Sequence, residues 1–229
     1  MNATATNIPR AKAKLRDYLR AHGLDVPNMT IASPIWGTAA RKAAWRATGH
    51  MRSHGKAIAQ STHYTQYLVD ALFLPTFVER QQRILAREVG VCEHPAGSND
   101  GDRVRDYQAV TGAYKQPWCA SLVCFADVEA GLHRSQLPRL PAYVPAWASC
   151  ATAHIKSVSK LAARRGDHLC LFGNGHIETI TRVIVPGLIF ATIGGNTAPD
   201  SGGSQSNGGM VCRKTRYARD VSAVKRVRP

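Results

Sequence analysis

None of the six cysteines, at 92, 119, 124, 150, 170 and 212, forms a C-x-x-C pair, which argues against a zinc ribbon or a dithiol redox motif. The nine histidines include no H-E-x-x-H, so a zinc hydrolase is a poor fit. The N-terminus, MNATATNIPRAKAKLRDYLRAHG, lacks the apolar stretch of a secretory signal, and no run approaches the roughly 20 residues of a membrane span. The expectation is a protein made in the cytosol, where reducing conditions argue against a disulfide framework and most thiols are small buried hydrophobes. If its substrate lies outside the membrane, something else must deliver it. Acidic residues are also scarce. Fifteen Asp and Glu stand against thirty Lys and Arg, giving +15. The excess is even, +7 over residues 1–80 and +8 over 81–229, so no single basic tail accounts for it. Such a field gathers polyanions, with nucleic acid, anionic membrane and anionic cell-wall polymer as candidate partners beside a plain solubility surface.

What is present is ordinary for a folded chain: 229 residues, 44% apolar and 20% charged. Leu15, Tyr18 and Leu19 recur at helical spacing between Ala11 and His22, with Gly23 as a stop. Trp36 to Thr48 reads as a second helix, and His63 to Phe77 as an amphipathic stretch interrupted by Pro75. Residues 1–77 therefore form a small basic helical unit, and 78–229 a second domain. In that domain Val78 to Val89 reads as a helix with Val78, Ile84, Leu85 and Val89 on one side. EHPAGSNDGD is a polar loop, and another helix starts at Pro117 or Trp118, runs through CASLVCFADVEAGL and ends by Gly131. The run SQLPRLPAYVPAW reads as loop. After Arg165 the pattern turns to strands, HLCLFG, HIETITRVIV and LIFATIGG, with Pro186-Gly187 turning between the last two and a final strand at Met210 to Lys214. Helices followed by an antiparallel sheet give an α+β fold.

One cysteine stands apart. Cys119 occupies the first turn of a predicted helix, where the helix dipole favours a thiolate, whereas Cys124 lies deeper in the same helix and reads as core. His176 opens a later strand, as the base of a nucleophilic cysteine should. Across the Pro186-Gly187 turn, residues whose numbers sum to about 372 face each other, which puts His176 beside Asn196. An Asn accepting from the far ring nitrogen would fix the tautomer and aim the other nitrogen at sulfur, as in a Cys-His-Asn triad. The remaining histidines, including His133, His154 and His168, read as surface or scattered residues.

The segments VGVCEHPAGSNDG, DYQAV, KQPWCASLVCF, RRGDHLCLF, GHIETITRV, ATIGGNT and SQSNGGMVCRKTR, in this order, resemble the CHAP amidase/endopeptidase domains of phage endolysins over about Ile84 to Arg216. The resemblance implies a papain-like CHAP fold in which N-terminal helices pack on an antiparallel sheet. It makes Cys119 the nucleophile, His176 the base and Asn196 the orienting residue of a peptidoglycan hydrolase, either an N-acetylmuramoyl-L-alanine amidase or a peptidoglycan endopeptidase. Two departures matter. Relatives often carry an acidic residue in the block that reads ATIGGNT here, where this chain has Gly194 and Gly195. They also commonly have Gly two residues after the His, where this chain has Glu178. Residues 176 and 178 share a strand face, and 178 lies opposite 194, so Glu178 is a candidate for the missing carboxylate.

Secondary candidates surround this set. The backbone N–H of Cys119 is a natural oxyanion donor, with Tyr107, Gln116 and Trp118 as neighbours able to line substrate and core packing as the competing reading for Tyr107. Asn99, Asp100 and Asp102 could gather oxygen ligands for Ca2+, but they lack a closing bidentate Glu, and a polar turn is the simpler reading. No cofactor is required. The expected partner is bacterial peptidoglycan, met by a monomer after release from the host cytoplasm through a holin. Residues 11–48 faintly resemble small peptidoglycan-binding helical modules, and Trp36, Trp45, Tyr64 and Tyr67 with the positive charge suit anionic wall polymer, a membrane surface or nucleic acid. The competing readings are a basic nucleic-acid or membrane-surface binding protein on an inactive papain-like scaffold, and a delivered antibacterial amidase toxin.

Overall fold

The computed structural model describes residues 7–21, 23, 76–199 and 202–229. The chain divides into two compact units, Met1–Pro75 and Thr76–Pro229. In the first, helix α1 (Asn7–Ala21) begins four residues before the expected start. It buries Lys12, Leu15 and Leu19, spaced i, i+3 and i+7 along one stripe. Gly23, at φ +64, ends it by donating its N–H to the Arg20 carbonyl. The helix expected at Trp36 to Thr48 and the stretch at 63–75 lie outside the described residues, as do Trp36, Trp45, Tyr64 and Tyr67.

The second unit is mixed α+β. Helix α2 (Phe77–Glu88) starts just ahead of the expected Val78, because Thr76 and Glu79 form a reciprocal capping box: Thr76 Oγ1 accepts the Glu79 N–H at 3.2 Å and Glu79 Oε2 the Thr76 N–H at 2.7 Å. Leu85 is buried as expected, with Ile84 and Val89 packed against the same cluster, but polar residues share the buried face. Gln81, Gln82, Leu85 and Glu88 are inside, and each polar group has a partner. Gln81 donates to Asp127 Oδ1 at 2.6 Å, Gln82 donates to the Ile180 carbonyl at 3.1 Å, and Glu88 accepts from Arg103 and Tyr107. Helix α3 (Asp102–Thr111) occupies a stretch for which no element was expected, burying Val104, Tyr107 and Gln108.

Helix α4 (Cys119–Glu129) is the centre of the unit. Cys119 through Asp127 are all buried, as an apolar-all-round helix must be. It packs on the sheet with α2 and α3 against it. A short helix α5 (Val144–Ser149) forms within the Pro-rich run read as loop, with Pro145 in its first turn, where a missing N–H costs nothing.

Six antiparallel strands follow: β1 (Ile155–Val158), β2 (His168–Leu171), β3 (His176–Val185), β4 (Ile189–Thr197), β5 (Met210–Tyr217) and β6 (Val221–Val227). They lie in the order β1-β6-β2-β3-β4-β5. The outermost β1, and β6 which inserts beside β2, have no counterpart among the expected strands. Strand alternation divides the core. Cys170, Ile177, Ile155 and Val227 face Cys119, Ala120, Val123 and Cys124, and Leu169, Leu171, Ile180, Phe190 and Val224 pack together in a separate cluster. His168, expected at the surface, is fully buried: Nε2 contacts Asp127 Oδ2 at 2.9 Å and Nδ1 contacts Thr179 Oγ1 at 3.0 Å. A sequence reading has no access to a pair joined across 41 residues.

All six cysteines are free. Burial pushes the Cys170 thiol up to about 12 and raises Cys124 well above its ordinary value, so both remain thiols at neutral pH. No helix among the described residues is long and apolar enough to cross a membrane.

Candidate active site

Cys119 is the first residue of α4, with Trp118 as its N-cap. Trp118 has no side-chain oxygen to cap with, so its indole is used elsewhere, donating from Nε1 to Glu93 Oε1 at 2.7 Å in a fully buried position. The first N–H groups of a helix have no partner inside it, so the Cys119 amide points its dipole out of the helix start. Cys119 itself keeps only 3% of its surface.

His176 opens β3 and is fully buried. Its Nε2 meets Glu178 Oε1 at 3.1 Å, and Nδ1 makes no hydrogen bond of regular geometry. Burial alone would lower the imidazole pKa, but interaction with Cys119, followed by Glu178, overrides it and raises His176 to about 9. With Nε2 committed to the carboxylate, Nδ1 is the nitrogen free to serve Cys119. The imidazole is thus held between a thiol and an acid.

The side chain bonded to His176 is that of Glu178 and not of Asn196. Bulges nearer the turn shift β3 against β4 by one or two residues, and the expected register holds only at the far pairs, Thr179 with Ile193 and Ile180 with Thr192, each summing to 372. The pairing ends there. Asn196 adopts φ +54, and β4 shifts register against β5 between Gly194 and Thr197. A left-handed residue in a bulge re-aims its side chain. Asn196 Nδ2 therefore donates to Asn99 Oδ1 at 3.2 Å and Asn207 Oδ1 at 3.0 Å, and its Oδ1 accepts from the Gly209 N–H at 3.1 Å. It ties two loops to the end of β4 and makes no hydrogen bond to His176.

Glu178 fills the space that Gly194 leaves open. A Cβ on Gly194 would fall 2.5 Å from Glu178 Cγ, which is impossible without displacing the carboxylate. Gly195 is equally constrained, since a Cβ there would lie 2.6 Å from the Trp118 ring at the start of α4. The two glycines of ATIGGNT thus admit Glu178 on one side and the start of α4 on the other.

Arg216, which sequence reasoning missed, completes the set. It is 5% exposed on β5 and grips both Glu178 oxygens, Nε reaching Oε2 at 2.9 Å and Nη2 bonding Oε1, and Thr192 Oγ1 donates to Oε2 at 2.5 Å. Burial would raise the carboxyl, but His176 and Arg216 lower it to about 2. Glu178 is therefore an anion at neutral pH. The only sequence signal for Arg216 was the alternation of MVCRKTRY, visible once β5 is extended to Tyr217. Phe172 was missed as well. At φ +52 it precedes Gly173 and Asn174, at +67 and +68, and its 40%-exposed ring stacks on His176 at 6.3 Å between centroids. Three consecutive left-handed residues, two without glycine's freedom, store strain beside the imidazole.

The remaining candidates fall elsewhere. Tyr107 is core: fully buried between Trp118 and Phe125, it donates to Glu88 Oε2 at 2.6 Å, and burial and that carboxylate push its phenol far up. It is not an oxyanion donor. Gln116 is exposed and lends its backbone carbonyl to Gln108 at 2.9 Å. The Ca2+ candidates do not converge. Asp100 is gripped by Arg105 at 2.7 Å and Lys115 at 3.3 Å, which with the Gly101 N–H hold its carboxyl well below the usual range. Asp102 is fully exposed, and Asn99 serves Asn196. Among the described residues no cluster of three His, Cys, Asp or Glu could hold a metal ion. An open depression lined by Arg182, Ala191, Thr192, Arg213 and Thr215 lies along β3–β5 and includes neither Cys119, His176 nor Glu178.

Compared with family models, curated proteins and solved structures, the chain matches none of them. The chemistry is therefore read from the site itself. A thiol at a helix start, coupled to an imidazole whose other nitrogen is held by a buried anion, is the equipment of nucleophilic acyl transfer.

Proposed function

We propose that the second unit is a papain-like CHAP-type domain and a cysteine-dependent peptidoglycan hydrolase that cleaves an amide bond of the bacterial wall, as either an N-acetylmuramoyl-L-alanine amidase or a peptidoglycan endopeptidase. The observation that carries the reading is the Cys119–His176–Glu178 relay, supported by the order of motifs that resembles phage endolysin domains. His176 Nδ1 takes the Cys119 proton, and the thiolate attacks the amide carbon. The developing oxyanion lies in reach of the Cys119 N–H at the start of α4. His176 then protonates the departing amine, and water, deprotonated by the same imidazole, opens the thioester. Glu178 fixes the ring and stabilises the imidazolium, and Arg216 and Thr192 fix Glu178. The wall is the substrate, reached after release from the host cytoplasm through a holin.

Purified wall digested by the wild-type chain should yield a new amine or a freed lactyl–peptide junction by mass spectrometry, with Cys119→Ala giving none while its circular dichroism is unchanged. Equal digestion by both proteins would sink the mechanism. The charge of +15 favours a second reading, a basic nucleic-acid binder on an inactive scaffold. Tight salt-sensitive DNA binding with no wall product would support it.

A further inference from the structure

The sheet carries a second exposed feature at the end of β3 remote from His176. Leu188 sits in the β3–β4 turn and is 59% exposed, and Leu161 is 74% exposed. Both belong to one protrusion: a Cβ on Gly187 would touch Leu161 Cα at 3.4 Å. Val185 and Tyr217 are also exposed there, since Leu188 donates its N–H to the Val185 carbonyl and Tyr217 pairs with Ile189. Leucines in such positions hold apolar surface out to water. Their collar is cationic. Lys160 Nζ reaches the Ala218 carbonyl at 2.7 Å, and the Arg219 guanidinium lies 5.1 Å from the Tyr217 ring centroid. Asp220, 3.9 Å from Arg219, is the nearby acid.

We infer that this hairpin tip docks on an anionic lipid bilayer, with Leu161 and Leu188 entering the headgroup–acyl boundary while Lys160 and Arg219 meet lipid phosphates. The arrangement of apolar prongs, an aromatic with a polar end and basic residues at one level is the composition of an interfacial anchor. Charge decides among occupants. A second copy of the chain would set cation against cation, and a soluble polyanion has no use for protruding leucines. Strand β3 runs from His176 to Val185, roughly 30 Å at strand rise, so the tip and the site lie at opposite ends of it. Taken with the proposed activity, on which this consequence alone rests, docking by the tip turns Cys119 away from the membrane and toward the wall.

Sedimentation of the full chain with vesicles tests the inference. Vesicles of phosphatidylglycerol and phosphatidylcholine should bind it, and phosphatidylcholine alone much more weakly. Leu161→Ser with Leu188→Ser should weaken binding to the anionic vesicles about tenfold or more, with thermal melting and wall digestion unchanged. Arg219→Gln should narrow the preference for anionic lipid. The inference is overturned if the double variant binds like wild type, which would assign any attraction to diffuse charge. It is also overturned if ultracentrifugation finds a wild-type dimer that the double variant loses, or if the leucines govern binding to lipid-free wall. Cys119→Ala should bind vesicles as wild type does, so a failed vesicle result leaves the hydrolase reading untouched, and a failed hydrolase result leaves this one.

Discussion

Replacing Glu178 by Gln keeps the side chain's shape and removes its charge, and the consequences can be worked from the site. The carboxylate is fully buried, holds His176 Nε2 at 3.1 Å and neutralises the buried Arg216 guanidinium. Its pKa is lowered from 4.5 to about 2, a difference worth about 3 kcal/mol in favour of the folded anion at neutral pH. That contribution is present above the unfolded value of 4.5 and lost as pH falls through about 2. The Glu178→Gln variant loses it and leaves Arg216 an unpaired buried cation, the situation in which broken buried pairs cost about 3–5 kcal/mol. At about 3 °C per kcal/mol for a domain of this size, the melting temperature should fall by roughly 10 °C. Below the melt the imidazole loses its anionic partner, and wall digestion should drop about a hundredfold or more. Asn196→Ala is the matched control, expected to loosen the loops it ties with far less effect on turnover per folded molecule. A Glu178→Gln variant that digests wall at the wild-type rate while Asn196→Ala is dead would refute the assignment.

Gly194→Ala forces a methyl into Glu178 and should lower both stability, by about 1–3 kcal/mol, and activity, whereas Gly195→Ala presses on Trp118 and should act mainly on the melting temperature. The His176 pKa, raised to about 9, places an alkaline limb in the pH–rate profile near that value, where the imidazolium loses its proton. The same shift means that the stability it confers is complete below 6.5 and disappears as pH rises through about 9, which a series of melts across pH can read. Asp127→Ala removes the acid shared by His168 and Gln81 and should cost about 3 kcal/mol in denaturant titration, leaving the rate per folded molecule near wild type, because neither group touches Cys119.

The parts of the site legible in the sequence were those set by local chemistry. A cysteine after Pro-Trp starts a helix, a histidine after Gly starts a strand, and Pro186-Gly187 turns a hairpin that meets the expected register at Thr179–Ile193 and Ile180–Thr192, beyond two bulges nearer the turn. Carrying that register on to Asn196 fails, because a bulge and a left-handed backbone cancel simple alternation. Long-range polar pairs were hidden for a related reason. Lys225, on the strand β6 that was not expected, is buried with its ammonium held by the Cys150 carbonyl and Ser157 Oγ. His168 is masked in the same way by Asp127. Helix α3 escaped because its buried side contains Gln108, which holds two carbonyls, those of Asn99 and Gln116, instead of an apolar residue.

Activation of Cys119 by His176 can be read by cysteine labelling without any assumption about substrate. Cys92 is exposed and Cys119 almost buried, so accessibility and activation predict opposite outcomes. Limiting iodoacetamide at neutral pH, followed by peptide mass mapping, should mark Cys119 ahead of Cys92 in the wild type and lose that preference in His176→Ala. Labelling that follows exposure in both proteins, with Cys92 first and Cys119 untouched, would contradict the account.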